Sequence, residues 1–100
     1  MTNTKTTLHI IRKSPSAMAE ELQLCMNMLL AKDAVVLLDD GCYLTNHVKI
    51  ADIKNITKNI YMLESHQIAR AVNSHDKIEL ISLAQLNDLI FKYDNSVTWQ

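Results

Sequence analysis

A chain of 100 residues has room for one domain, and with two cysteines and no CxxC spacing it carries neither a disulfide framework nor a structural zinc pattern. Hydrophobic residues make up 48% but aromatic residues only 5%, so the core must be aliphatic, which suits helices packed on a sheet. Ten basic against eleven acidic residues leave a formal charge of −1, and no basic stripe interleaved with aromatic residues argues for direct nucleic-acid contact. No apolar run approaches the roughly 20 residues a membrane span needs, and Met1 to Thr7 is polar without a signal-peptide core behind it, so a cytoplasmic protein with no membrane contact is expected.

Leu8-His9-Ile10-Ile11-Arg12 predicts a first strand. Ser14 and Pro15 then open a helix, the Pro lacking only an N–H that would have no intrahelical partner. From Ser16 to Ala31, Met18, Leu22, Cys25 and Leu29 form one apolar stripe, with Leu24 and Met28 as a second flank beyond what one sheet face requires. Lys32-Asp33 turns into Ala34-Val35-Val36-Leu37-Leu38, five apolar residues without a break. Such a run reads as a strand buried on both faces, as in a parallel sheet covered by helices. Asp39-Asp40-Gly41 stops it, and Cys42 follows at the carboxyl end, where open α/β sheets usually meet ligands and partners.

Between Cys42 and Asn59 a short helix is expected, with Tyr43 to Asn46 as a possible helical turn and Val48-Lys49-Ile50 helical or extended. Ile60 to Leu63 predicts a third strand; Ser65 would cap a helix over His66 to Val72 with Ile68, Ala69 and Val72 on its core side. Asn73 to Asp76 reads as a polar loop and Ile78 to Ile81 as a fourth strand at a sheet edge. Ser82 with Gln85 three residues on forms a capping box for a last helix, buried through Leu83, Leu86, Leu89, Ile90 and Tyr93. Asp94 to Gln100 is a polar tail apart from Val97 and Trp99. With no internal repeat or linker, residues 1–100 form a single domain in this reading. The alternation of strands and helices argues for an α/β fold: a doubly wound, mainly parallel four- to five-stranded sheet with helices on both faces and the first strand central.

Leu8-His9, Ser14-Pro15, the apolar strand ending in Asp40-Gly41, Tyr61-x-Leu63 leading to Ala69-Arg70, and Trp99 near the end together resemble the DsrH/TusB family along nearly the whole chain. The resemblance implies a DsrE/F/H-like fold and a heterohexamer with TusC/DsrF-like and TusD/DsrE-like subunits. That complex passes persulfide sulfur between carrier proteins toward thiolation of the tRNA wobble uridine, or serves sulfur oxidation in a related branch. It further implies that the reactive cysteine belongs to the TusD-type partner and that the TusB-type subunit is structural. Some DsrH members carry a first-helix cysteine near the place of Cys25, and relatives commonly have an aliphatic residue at Cys42. His66 stands where an acidic residue is common, and Ala71 where Gly is common.

A sulfur carrier needs an accessible thiolate favoured by nearby positive charge. Mid-stripe placement argues instead for Cys25 as a packed core thiol, and the adjacent Asp39 and Asp40 would raise the pKa of Cys42. His9 is expected to fill a polar niche at the sheet, and Asp39-Asp40 lacks the third acid of a metal site. Arg70 reads equally as an interface ion-pair donor or a solvated helix-end cation. Trp99 should cover its own core edge or anchor in a neighbouring subunit. The reading is therefore a subunit not catalytic by itself, without cofactor or metal, meeting partners through Leu24, Met28, Arg70 and Trp99. Two alternatives stand beside it: an active persulfide carrier using Cys25 or Cys42, and a small nucleotide- or phosphate-binding domain, which Gly41 alone supports poorly.

Overall fold

Ala34, Val35, Val36 and Leu37 are all fully buried, and the fold follows from covering that strand on both sides. The structure is a computed structural model that describes residues 5–73, 75 and 77–99; Ser74 and Asp76 of the expected polar loop lie outside the described residues. Five strands, β1 (Thr7–Ile11), β2 (Ala34–Leu37), β3 (Ile60–Leu63), β4 (Glu79–Ile81) and β5 (Asn95–Trp99), form one sheet in the order β4-β3-β2-β1-β5. Every neighbouring pair is parallel. Between them run α1 (Ala19–Met28), α2 (Lys49–Ile56), α3 (Glu64–Arg70) and α4 (Leu83–Lys92), with 3₁₀ segments at Pro15–Ala17 and Asp39–Asn46.

Strand alternation sorts the core into two layers. Ile11, Val35, Leu37, Ile60 and Met62 pack against Leu22 and Cys25 of α1, Cys42 and Leu44 of the second 3₁₀ segment, and Ile50 and Ile53 of α2. Leu8, Ile10, Ala34, Val36, Leu63 and Ile81 turn the other way and meet Leu86, Leu89 and Tyr93 at α4. The sheet grows in one direction from β1 to β4, and α4 must then carry the chain back past β3, β2 and β1 to β5. A right-handed crossover in that reversed direction lands on the opposite face, which is why helices cover both sides.

Several expectations are corrected in detail. The middle place is held by β2, with β1 beside it and one step from the edge, because the supposed polar tail is β5, paired with β1 from Thr7↔Asn95 to Ile11↔Trp99. An edge strand over a single core layer needs inward side chains only at alternate positions, so Asn95, Ser96 and Thr98 disguise it as a tail. The first helix divides: Met18 leaves helical geometry (φ −136°, ψ 39°) between Pro15–Ala17 and Ala19–Met28, and Leu29 is extended. α3 starts at Glu64, so Ser65 lies inside it and Leu63 takes the capping place. Its Ile68 is 66% exposed and Ala69 is exposed, leaving Val72, past the helix end, as the only core contributor of the three expected. On α4 the stripe Leu86, Leu89 and Tyr93 is buried while Leu83 and Ile90 face outward, because one ten-residue helix lays a single stripe on the sheet. The capping box forms as expected: Gln85 N–H donates to Ser82 Oγ at 3.2 Å, and Ser82 N–H donates to Gln85 Oε1 at 2.8 Å.

Candidate functional site

Parallel strands bring their carboxyl ends to one edge of the domain, so the residues following β1, β2 and β3 meet there as a crest. The chain leaving β2 passes close under β1: Leu38 N–H donates to Ile11 O at 2.9 Å, and Gly41 N–H lies 2.8 Å from Leu38 O and 3.2 Å from Arg12 O. A Cβ on Gly41 would lie 2.0 Å from Ile11 O, so this crossing requires glycine for space. Asp39 accommodates the turn with φ +50°, a left-handed conformation that Asp tolerates better than most residues.

Two charged pairs build the crest. Arg12 Nε donates to Asp39 Oδ2 at 2.8 Å, and Arg70 Nε donates to Asp40 Oδ1 at 2.9 Å. The Arg12 hydrogen bond holds the Asp39 carboxyl below its ordinary value of 3.8. Arg70, raised chiefly by its bond to Asp40, is the helix-end cation of α3 and an ion-pair donor at once, though its carboxylate is supplied from within the chain. His66 adds a third contact. Its Nδ1 accepts the Asp39 N–H at 2.8 Å, which places the ring proton on Nε2 and makes the 3.5 Å approach of Nδ1 to Asp39 Oδ1 a proximity without a hydrogen bond.

Cys42 belongs to this turn by sequence but points away from it. Its side chain is 0% exposed in the core layer under α2, with Sγ 3.7 Å from Leu37 O. Burial pushes the thiol up to about 11; Arg70 pulls against that and Asp39 and Asp40 add to it. Solvent exclusion therefore outweighs the neighbouring acids that the sequence brings to notice.

A second polar cluster lies inside the sheet. Trp99 Nε1–H donates to His9 Nδ1 at 3.1 Å, the two rings nearly parallel at 14° with centroids 6.2 Å apart. An indole can only donate, so His9 carries its proton on Nε2 and gives it to Asp33 Oδ2 at 3.3 Å. Asp33 also accepts Thr7 N–H on Oδ1 and Leu30 N–H on Oδ2, each at 3.0 Å. Cys25 Sγ sits 3.9 Å from His9 Nδ1, the nitrogen Trp99 already occupies. With 1% exposure, its thiol is pushed by burial up to about 12. Trp99 thus covers its own core edge, as one of its two expected roles has it, while staying partly exposed. Leu24 and Met28 stand 55% and 58% exposed on the outer side of α1.

The site residues therefore separate: Cys25 and Trp99 share one buried cluster, Arg70 sits on the crest above the buried Cys42, and Leu24 and Met28 lie apart on a helix surface. Asp33, read from sequence as a turn residue, proves to be the acceptor for three donors; the only sequence cue was its place just before the apolar strand. Arg12 and His66 were likewise not singled out as crest partners of Asp39, since 27 residues separate each from it. Among the described residues no group of three or more His, Cys, Asp or Glu side chains is placed to hold a metal ion, and no helix is long and apolar enough to cross a membrane.

These features define an open, all-parallel α/β domain with charged pairs at its strand ends and both thiols folded inward. A family model described as "DsrH like protein" matches residues 13–96, and the chain belongs to that family, which associates it with sulfur-relay chemistry. The crystal structure of the YchN protein from E. coli has a similar fold, with a TM-score of 0.63 at 11% identity, over 95% of this chain and 99% of that one. Comparison with curated proteins returns no match.

Proposed function

We propose that this chain is the scaffolding, non-catalytic subunit of a cytoplasmic heterohexameric sulfur-relay complex, placed beside TusC/DsrF-like and TusD/DsrE-like subunits. Sulfur carried there as a persulfide would pass toward the tRNA wobble uridine on a sister subunit's cysteine. The observation that carries this reading is the burial of both thiols, at 1% and 0% exposure, with each protonated far above neutral pH. Attack on a persulfide requires an accessible thiolate, and neither Cys25 nor Cys42 supplies one. Leu24 and Met28, half-exposed on α1, together with Arg70 and the outer edge of Trp99, are the surfaces assigned to partner contact.

Two measurements test this. Co-expression with the genomic neighbours of the same fold, followed by size exclusion and light scattering, should yield an assembly of about six subunits; a chain that ignores those neighbours would remove the reading. Replacing both cysteines with Ser should leave sulfur transfer by the reconstituted complex within about twofold, the scale of effect expected away from the reacting atoms. Abolition of transfer would instead make Cys25 or Cys42 the carrier.

A further inference from the structure

At the opposite end of the sheet, where β3 and β4 begin, the sequence concentrates a different chemistry. The last turns of α2 and the residues after it present Ala51, Lys54, Asn55 and Lys58, and Lys77 arrives from the segment that enters β4. Together with Ile60, the first residue of β3, they line a hollow of about 370 Å³. That volume falls in the range of small-molecule sites, roughly 300–1,000 Å³. A second hollow of about 340 Å³ adjoins it around the same Lys54 and Lys58 and is edged by Asn59.

The charge of the first hollow has one sign. No Asp or Glu is among its described lining residues. The two ion pairs among the described residues, Arg12–Asp39 and Arg70–Asp40, and the His9–Asp33 and His66–Asp39 contacts beside them use none of Lys54, Lys58 or Lys77. The helix end offers partial compensation: the C-terminus of α2 carries a partial negative charge of about half a unit, and Thr57 N–H already caps Ile53 O there. Half a charge cannot balance three ammonium groups, so the hollow keeps an excess of positive potential in a chain whose formal net charge is −1. Its lining residues are chemically divided, with Lys54, Lys58, Lys77 and Asn55 beside the apolar Ala51 and Ile60. Lysine serves as a mobile point charge for phosphate oxygens, and the apolar wall suits a flat organic body.

We propose that the Lys54/Lys58/Lys77 hollow binds a small multiply charged oxyanion with an organic body, the class to which nucleoside phosphates belong. This site is independent of the assembly reading and lies at the other end of the sheet from the crest.

The test is isothermal titration of the full chain with ATP at low salt, beside adenosine as the uncharged probe. ATP should bind saturably with a Kd below about 1 mM, and adenosine should give no saturable heat in that range. Each single change, Lys54→Gln, Lys58→Gln or Lys77→Gln, should weaken binding by up to about fivefold, and the triple change by about 30-fold or more. Lys13→Gln, at the crest end, should leave it unchanged. Circular dichroism of the triple variant checks its fold, and amide shifts on ATP addition should centre on Asn55 and Lys58. Absence of saturable binding, ATP affinity retained by the folded triple variant, or shifts centred on Arg12 and Arg70 would each overturn the proposal.

Discussion

The domain uses one set of groups twice, a carboxylate and an imidazole with a thiol nearby, in two surroundings. Asp33, His9 and Cys25 are enclosed, with the Asp33 and His9 side chains only 3% and 2% exposed. Asp39 and His66 stand about one-third exposed on the crest, with Cys42 beneath them. In the enclosed cluster the buried His9–Asp33 bond carries the full cost of leaving both groups unpaired, and the part-buried bonds from Thr7 and Leu30 add to it. On the crest water and salt replace what is lost, and an ion pair contributes a fraction of a kcal/mol. The same side chains therefore act as a structural keystone in one place and as an adjustable surface in the other.

Breaking the enclosed cluster should have the largest effect. Asp33→Ala orphans Thr7 N–H, Leu30 N–H and His9 Nε2–H together and should cost about 4 kcal/mol in urea unfolding. A loss under about 1 kcal/mol would mean that water enters the cluster freely.

The buried thiols supply the next effect. Their pKa values are raised in the folded chain, to about 12 for Cys25 and about 11 for Cys42, against 9.0 for the ordinary group. The folded state holds its protons longer, so this stabilisation is complete below pH 9 and is lost as the pH rises toward 11 and 12. Relative to a Cys25→Ala/Cys42→Ala variant, the native chain should lose stability between those limits at a slope approaching about 2.7 kcal/mol per pH unit. Equal slopes in both proteins would show that the thiols are not shielded.

Ala71 allows a change in the favourable direction. It closes α3 with φ +52°, the left-handed conformation in which glycine avoids the Cβ penalty, and its N–H caps Gln67 O and Ile68 O. Ala71→Gly should raise stability by about 1 kcal/mol, read as a higher melting temperature.

The smallest effect belongs to the crest. Asp39→Asn keeps a residue that tolerates positive φ while removing the charge, so its cost should stay below about 0.5 kcal/mol at neutral pH and shrink further in high salt. Because the folded carboxyl titrates below 3.8, the difference from the native chain should be present above that pH and vanish as the pH falls beneath it. A loss comparable to that of Asp33→Ala would erase the contrast between the two regions.

Much of the architecture was legible in the sequence. Periodicity located four of the five strands, the capping box marked the start of α4, and the run from Ala34 to Leu37 announced a strand covered on both sides. β5 escaped because an edge strand needs few apolar residues, and Ile68, Leu83 and Ile90 were assigned inward because an apolar stripe does not say how wide a contact the fold allows. The candidate site was less legible. Cys42 could be placed after a strand, but its inward direction depends on Gly41 passing within contact of Ile11 O, a meeting of residues 30 positions apart.

By itself, then, the sequence determined four of the five strands, the helical segments between them and a mainly parallel sheet, because those choices rest on local spacing of apolar and capping residues. Tertiary structure alone decided that Trp99 meets His9 across 90 residues, that Asp33 gathers three donors, and that Cys42 turns inward. Such outcomes depend on which distant groups come to share one water-free space, and no spacing along the chain records that.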